Sequence, residues 1–241
     1  LLQRMDYSGK FFPDMQPLNV FVVALIAMLV CAAFGTVTGF FIAYLNVPPF
    51  IATLAMMEIV YGIGLIVTNA TPLGGYVEQY TNVSNGKFLG INYLIWIAII
   101  VAAITWFIFN MTRHGKYMYA IGGNPQAAEV AGVPVKATLI LIYMKAAAMY
   151  GLAGFMLGAK AGGASVQTGY GYEMEAIAAC TIGGVSVTGG RGKVSSAIIG
   201  VAVFELLKVA LQYLGMNANA QYIAIAVSYT HLRAHETLAN L

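Results

Sequence analysis

The sequence predicts an all-α polytopic membrane protein with about five to six transmembrane or re-entrant helices. Three observations carry that expectation. The chain of 241 residues is 60% hydrophobic and 9% charged, with a mean hydropathy of +0.78. Soluble domains carry about 25% charged residues, so this apolar surface has no place to hide in water. The apolar runs are continuous, without the period-two alternation of an outer-membrane barrel, which leaves helices as the spanning element. Turn-forming segments rich in Pro and Gly divide the runs. The formal net charge of +3 is scattered along the chain, which argues against nucleic-acid binding. Cys31 and Cys180 both sit inside apolar runs and read as small buried hydrophobes, not as a disulfide or metal pair.

The first run, Leu18 to Leu45, holds 28 residues without a charge, more than the roughly 20 that span a bilayer. Asn46-Val47-Pro48-Pro49 ends it, because proline cannot continue a helix and restrains the residue before it. The second run, Phe50 to Val67, carries one charge, Glu58. Thr68 to Gly90, with Thr71-Pro72, Gly74-Gly75 and Asn85-Gly86, reads as a solvated loop. The third run is Ile91 to Phe109. A polar stretch follows, flanked by Arg113, His114 and Lys116 on one side and Lys136 on the other. The fourth run, Ala137 to Ala159, is interrupted by Lys145. Lys160 to Gly171 is a glycine-rich connection. Glu173 to Val187 has only 15 residues and suits a short or re-entrant helix. Val194 to Leu214 is the last clear span, and Gln221 to Val227 starts another apolar run.

If every run crosses once, the loop 111–136 and the turn 189–193 share one side. Arg113, Lys116, Lys136, Arg191 and Lys193 lie there, against Lys87, Lys160, Arg4 and Lys10 opposite. Five against four favours the first side as cytoplasmic.

The polar stretch "AIGGNPQAAEVAGVPV" (Ala120 to Val135) has its own helical logic. Asn124 is a good N-cap and Pro125 suits the first helical position. Gln126 to Val130 then makes about one and a half turns, and Gly132 supplies the stop. Ala127, Ala128 and Ala131 are small enough to admit a close neighbour. "GGVSVTGGRGKV" (Gly183 to Val194) reads as a close-packed turn between membrane elements. It has neither the preceding strand nor the Lys-Ser/Thr that a phosphate-binding loop needs.

Within the spans, ionisable groups are expensive and face a bundle interior or a wet cavity. Glu58 and Lys145 each lie about nine residues into a helix leaving the same side, roughly 13 Å deep. The expectation is that they line a translocation path or pair beside it, with Asn69, Tyr61, Thr68, Tyr170 and Tyr172 as further polar or aromatic candidates. A purely structural pair is the alternative. Glu205 and Lys208, three apart on one helix, are expected to neutralise each other.

Three stretches resemble the permease subunits of bacterial ABC sugar importers of the ribose and galactose type. They are "AIGGNPQAAEVAGVPV", "FFIAYLNVPPFIATLAMMEIVYG" (Phe40 to Gly62) and "YEMEAIAACTIGGVSVTGGRG" (Tyr172 to Gly192). Its galactose/methyl-galactoside members are most similar, through "LLQRMDYSGKFFPDM" and "LGMNANAQYI" as well. The resemblance implies import of a monosaccharide across the bacterial inner membrane: galactose or methyl galactoside first, ribose or xylose next. It implies three protein partners: an ABC ATPase subunit, a periplasmic sugar-binding protein and a second copy of the permease. ATP and Mg would be used by the ATPase, and this chain would bind no cofactor or metal. Gly122, Gly123, Asn124, Ala127, Ala128, Glu129 and Gly132 would form the loop that couples to the ATPase. Gly183, Gly184, Ser186, Gly189, Gly190 and Gly192 carry the family's glycine motif. The rival readings are an ion-coupled secondary transporter using Glu58 and an intramembrane enzyme. The second is weakened by the lack of paired carboxylates or a Ser/His pair within the spans.

The permease domain is expected over 1–227, as a fragment lacking its first spans and its last helix. Ser228 to Leu241, "SYTHLRAHETLANL", does not resemble the family's final helix and is expected to be a non-native, adapter-like tail. Its His231 and His235 have helical metal spacing, but Leu232 stands where a zincin needs Glu.

Overall fold

The computed structural model describes residues 1–8, 11–12 and 14–217. The run 221–227, the tail 228–241 and the boundary between them lie outside the described residues. The chain forms two compact units: residues 1–104 with 129–170, and residues 105–128 with 171 onward.

In the first unit, α1 (Val20–Leu45) starts where the Asn19 side chain accepts a hydrogen bond from the Phe21 amide. It ends at Asn46 in the left-handed conformation, just before the two prolines. Pro49 opens α2 (Pro49–Thr68), which closes at a left-handed Asn69. Thr68 to Gly90 is not the solvated loop that its polar composition suggests. It holds a short helix, α3 (Glu78–Asn85), and a two-stranded hairpin of β1 (Lys87–Phe88) with β2 (Ile91–Asn92). Tertiary contact makes that helix. Tyr80 is buried with Leu2, Val20 and Ala159, and its hydroxyl donates to the Phe155 carbonyl at 2.7 Å.

Phe155 belongs to α7 (Val135–Ala161), which packs antiparallel along α1. The two helices meet backbone to backbone through glycine. A Cβ on Gly39 would stand 2.8 Å from the Ile140 Cα, and one on Gly151 would stand 2.7 Å from the Ala27 carbonyl oxygen. Small residues at the seam are how helices associate in lipid, where apolar burial between helices contributes little.

The second unit holds the end of α4 (Tyr93–Met111) and α5 (Arg113–Gly123), with Thr112 capping the latter by accepting from the Gly115 amide. Arg113 to Lys116 are therefore the first turn of a helix and not the loop charges that the polar stretch suggests. α6 (Pro125–Val130) follows, bounded as Asn124 and Pro125 predict. The unit also holds α8 (Tyr172–Ile182) and α9 (Val194–Tyr213). α8 and α9 pack closely: a Cβ on Gly200 would stand 2.7 Å from the Gly183 amide nitrogen. Phe204 is 2% exposed between Ala178 and Ala179.

Among the described residues, five helices (α1, α2, α4, α7 and α9) are long and apolar enough to cross a membrane. α8, at 11 residues, is shorter than a span, as its sequence run predicts.

Candidate functional site

Two glycine-bearing segments far apart in sequence meet in the second unit. α5 ends in Gly122 and Gly123, and the turn after α8 carries Gly189, Gly190 and Gly192. Gly122 lies directly on Gly190. A Cβ on Gly122 would fall on the Gly190 amide nitrogen, and a Cβ on Gly190 would stand 2.7 Å from the Gly123 nitrogen. A Cβ on Gly189 would stand 3.3 Å from the Gly122 Cα. Gly190 is also held at φ +72°, a conformation that side chains other than glycine's adopt at a cost. Gly123 differs, since nothing lies within 4 Å of where its Cβ would be.

Polar contacts fix the seat around that approach. The Tyr119 hydroxyl on α5 donates to the Gly192 carbonyl at 2.8 Å, and its ring meets Phe109 edge-on at the end of α4. Within the turn, the Ser186 amide donates to the Arg191 carbonyl at 3.0 Å, and the Gly189 amide donates to the Ser186 carbonyl at 3.2 Å. The Ser186 and Thr188 hydroxyls share a hydrogen bond at 2.8 Å. The turn is thus bonded internally. Gly183, at the other end of the motif, lies against the Ser196 backbone of α9.

α6 begins immediately after the seat. The Asn124 Oδ1 accepts from the Ala127 amide at 2.9 Å, as an N-cap should. Ala128 turns inward, 4% exposed, while Ala127 and Glu129 are exposed. Val130 is 91% exposed, and Gly132 at φ +83° ends the segment. α6 is thus a short helix capped by Asn124 that leaves the Val130 side chain exposed.

The translocation-path candidates divide. Glu58 and Tyr61 on α2 share a cavity of about 450 Å³ with Gln167 and Tyr170 on the segment following α7. Gln167 was missed, because a lone glutamine in a glycine-rich connection carries no sequence signal. Asn69 instead closes α2 as a left-handed cap, and Thr68 donates to the Gly64 carbonyl. Tyr172 is exposed at the start of α8.

Lys145 does not join Glu58: among the described residues neither takes part in an ion pair. Equal depth on two helices does not make them face each other. The α7 face carrying Tyr143 and Ala147 packs on Gly35 of α1. Lys145, two residues from each, is turned about 200° away from that face.

Lys208 has a nearer partner than Glu205. Its Nζ lies 2.9 Å from Glu175 on α8 and 3.7 Å from Glu205. Glu175 lies 33 residues away on another helix, beyond what i,i+3 spacing can reveal.

Among the described residues, five helices of membrane-spanning length and hydropathy define a multi-pass helical membrane protein. Similarity to known proteins agrees. The family model for the permease component of branched-chain amino acid transport systems matches residues 6–230, and the chain belongs to that family. It is 40% identical over 230 residues to the galactose/methyl galactoside import permease protein of Escherichia coli (strain K12), spanning 92% of this chain and 68% of that protein. The namesake protein of Haemophilus influenzae is also 40% identical over 230 residues, with the same coverage. The ribose import permease protein of Escherichia coli (strain K12) is 35% identical over 213 residues, covering 87% of this chain and 66% of that protein. No solved structure matches the chain.

Proposed function

We propose that this chain is the membrane-spanning permease subunit of an ATP-driven importer that carries a monosaccharide across the bacterial inner membrane. Galactose or methyl galactoside is the first candidate cargo, because relatives named for those sugars are more similar than those named for ribose. Its partners in this reading are an ATP-hydrolysing subunit at α6, a periplasmic sugar-binding protein and a second copy of the permease. ATP and its Mg belong to the hydrolysing subunit.

The observation that carries the reading is the seat of Gly122 on Gly190. A push or pull on α6 reaches Gly122–Gly123 at once. The contact there is backbone on backbone, with no side chain to absorb the displacement. It passes into the turn 183–192 and so into α8 and α9. A ligand-driven change needs contacts that differ between two states, and ATP binding by a docked partner would supply them.

The test is uptake by the assembled complex in proteoliposomes. Galactose accumulation that requires internal ATP and persists with the proton gradient collapsed is the expected result. Accumulation driven by an imposed proton gradient without ATP would make the chain a secondary transporter instead.

A further inference from the structure

From the juxtaposition of Glu58, Tyr61, Gln167 and Tyr170 around one cavity, we infer that this cleft holds a neutral sugar by its hydroxyl groups during passage. The inference rests on the proposed function and adds the contact residues.

Glu58 is the sole ionisable side chain in the 20 residues of α2 apart from Tyr61. It makes no ion pair among the described residues and is exposed. A carboxylate in a span does not face lipid, so this face of α2 borders water or a polar ligand. The segment after α7 is built to stay beside it. A Cβ on Gly64, six residues beyond Glu58, would stand 2.9 Å from Val166 Cγ1, so the segment lies tight on α2. Ser165 and Thr168 close a turn there, the Ser165 amide donating to Thr168 Oγ1 at 2.9 Å and the Thr168 amide to the Ser165 carbonyl at 2.9 Å. The Tyr170 amide donates to the Gln167 carbonyl at 3.1 Å. Those bonds set Tyr170 with its ring centroid 6.1 Å from that of Tyr61, the two tilted by 52°.

The chemistry suits a polyol. Glu58 only accepts hydrogen bonds when ionised, whereas the Gln167 amide and the two phenols both donate and accept. Sugar hydroxyls need both kinds of partner. The faces of Tyr61 and Tyr170 are electron-rich and suit the C–H side of a sugar ring. The cavity of about 450 Å³ lies within the roughly 300–1,000 Å³ typical of small-molecule sites. A hard cation is a poorer fit, since it takes about six or more oxygens and this cleft supplies one carboxylate.

The experiment compares wild type, Glu58→Ala, Glu58→Gln and Tyr170→Ala in proteoliposomes holding the complete complex. The probes are D-galactose, D-ribose and their monodeoxy analogues, with ATP hydrolysis measured alongside. Wild type is expected to discriminate against the analogue lacking the hydroxyl that Glu58 holds. Glu58→Ala should lower uptake of the parent sugar about tenfold and lose that discrimination, as loss of one charge-assisted hydrogen bond requires. Glu58→Gln should recover part of both, and every variant should co-purify with the ATP-hydrolysing subunit as wild type does. An unaltered analogue profile in Glu58→Ala overturns the inference while leaving the transport function intact. A uniform fall for every sugar, with ATP hydrolysis lost too, assigns Glu58 a structural role and overturns it as well. Wild-type uptake driven by a proton gradient without ATP overturns the proposed function and this inference together.

Discussion

Gly122 and Gly190 touch through their backbones: a Cβ on Gly190 would stand 2.8 Å from the Gly122 carbonyl oxygen. The contact joins the end of α5, which leads into α6, to the turn that leads into α9. Two segments 68 residues apart in sequence are thereby in direct backbone contact.

In the proposed function, docking of the ATP-hydrolysing subunit depends on what α6 exposes. Val130→Glu places a charge on its most exposed apolar position. Co-purification of the ATP-hydrolysing subunit should fall at least about tenfold, the scale of an interface side chain worth about 1.4 kcal/mol. Retention of the partner at wild-type stoichiometry would remove Val130 from the interface.

The Glu175–Lys208 pair should be costly to break singly. Lys208→Met leaves Glu175, whose side chain is 16% exposed, without its 2.9 Å partner. The expected loss is about 3 kcal/mol in detergent unfolding. The double variant Lys208→Met/Glu175→Gln should regain most of it. Glu205→Gln, whose side chain is 58% exposed, should cost less than about 1 kcal/mol.

Tyr80 gives the first unit an alkaline limit. Burial, reinforced by neighbouring Tyr76, pushes its phenol well above the ordinary value of 10.0. As pH rises past 10, the unfolded chain loses its proton first, so the stabilisation is full below pH 10 and is lost above it. Tyr80→Phe removes the 2.7 Å bond to the Phe155 carbonyl. It should cost about 1 kcal/mol at neutral pH and flatten the alkaline fall, both read from melting curves against pH.

The α1–α7 seam should reject bulk. Gly151→Val drives a branched side chain into the Ala27 carbonyl, with a Cβ at 2.7 Å. The expected destabilisation is about 1–3 kcal/mol. Gly154→Ala, on the same helix with nothing within 4 Å of its Cβ, should be neutral by the same melting assay.

The spans were legible in the sequence because length and continuous hydropathy suffice to define them. α6 was legible because Asn124, Pro125 and Gly132 are local signals with fixed geometry. α3 and α5 were not: Tyr80 gains its helix by burial against α7, and α5 is amphipathic and polar, with its cap on Thr112. The glycine motif read correctly as a close-packed turn, but its partner did not show. Gly122 and Gly190 are 68 residues apart, and no one-dimensional pattern pairs them. Glu58 and Lys145 failed as a pair for the same reason, since depth along a helix says nothing about which way it is turned.

The most direct measurement is sugar transported per ATP hydrolysed, in proteoliposomes holding the whole complex, for Gly122→Ala beside Gly123→Ala. Gly122→Ala forces a Cβ onto the Gly190 amide nitrogen, whereas Gly123→Ala enters open space. Gly122→Ala is expected to hydrolyse ATP with its partner still bound yet move about tenfold less sugar per ATP, while Gly123→Ala matches wild type. Equal and undiminished transport per ATP in both variants would contradict that expectation.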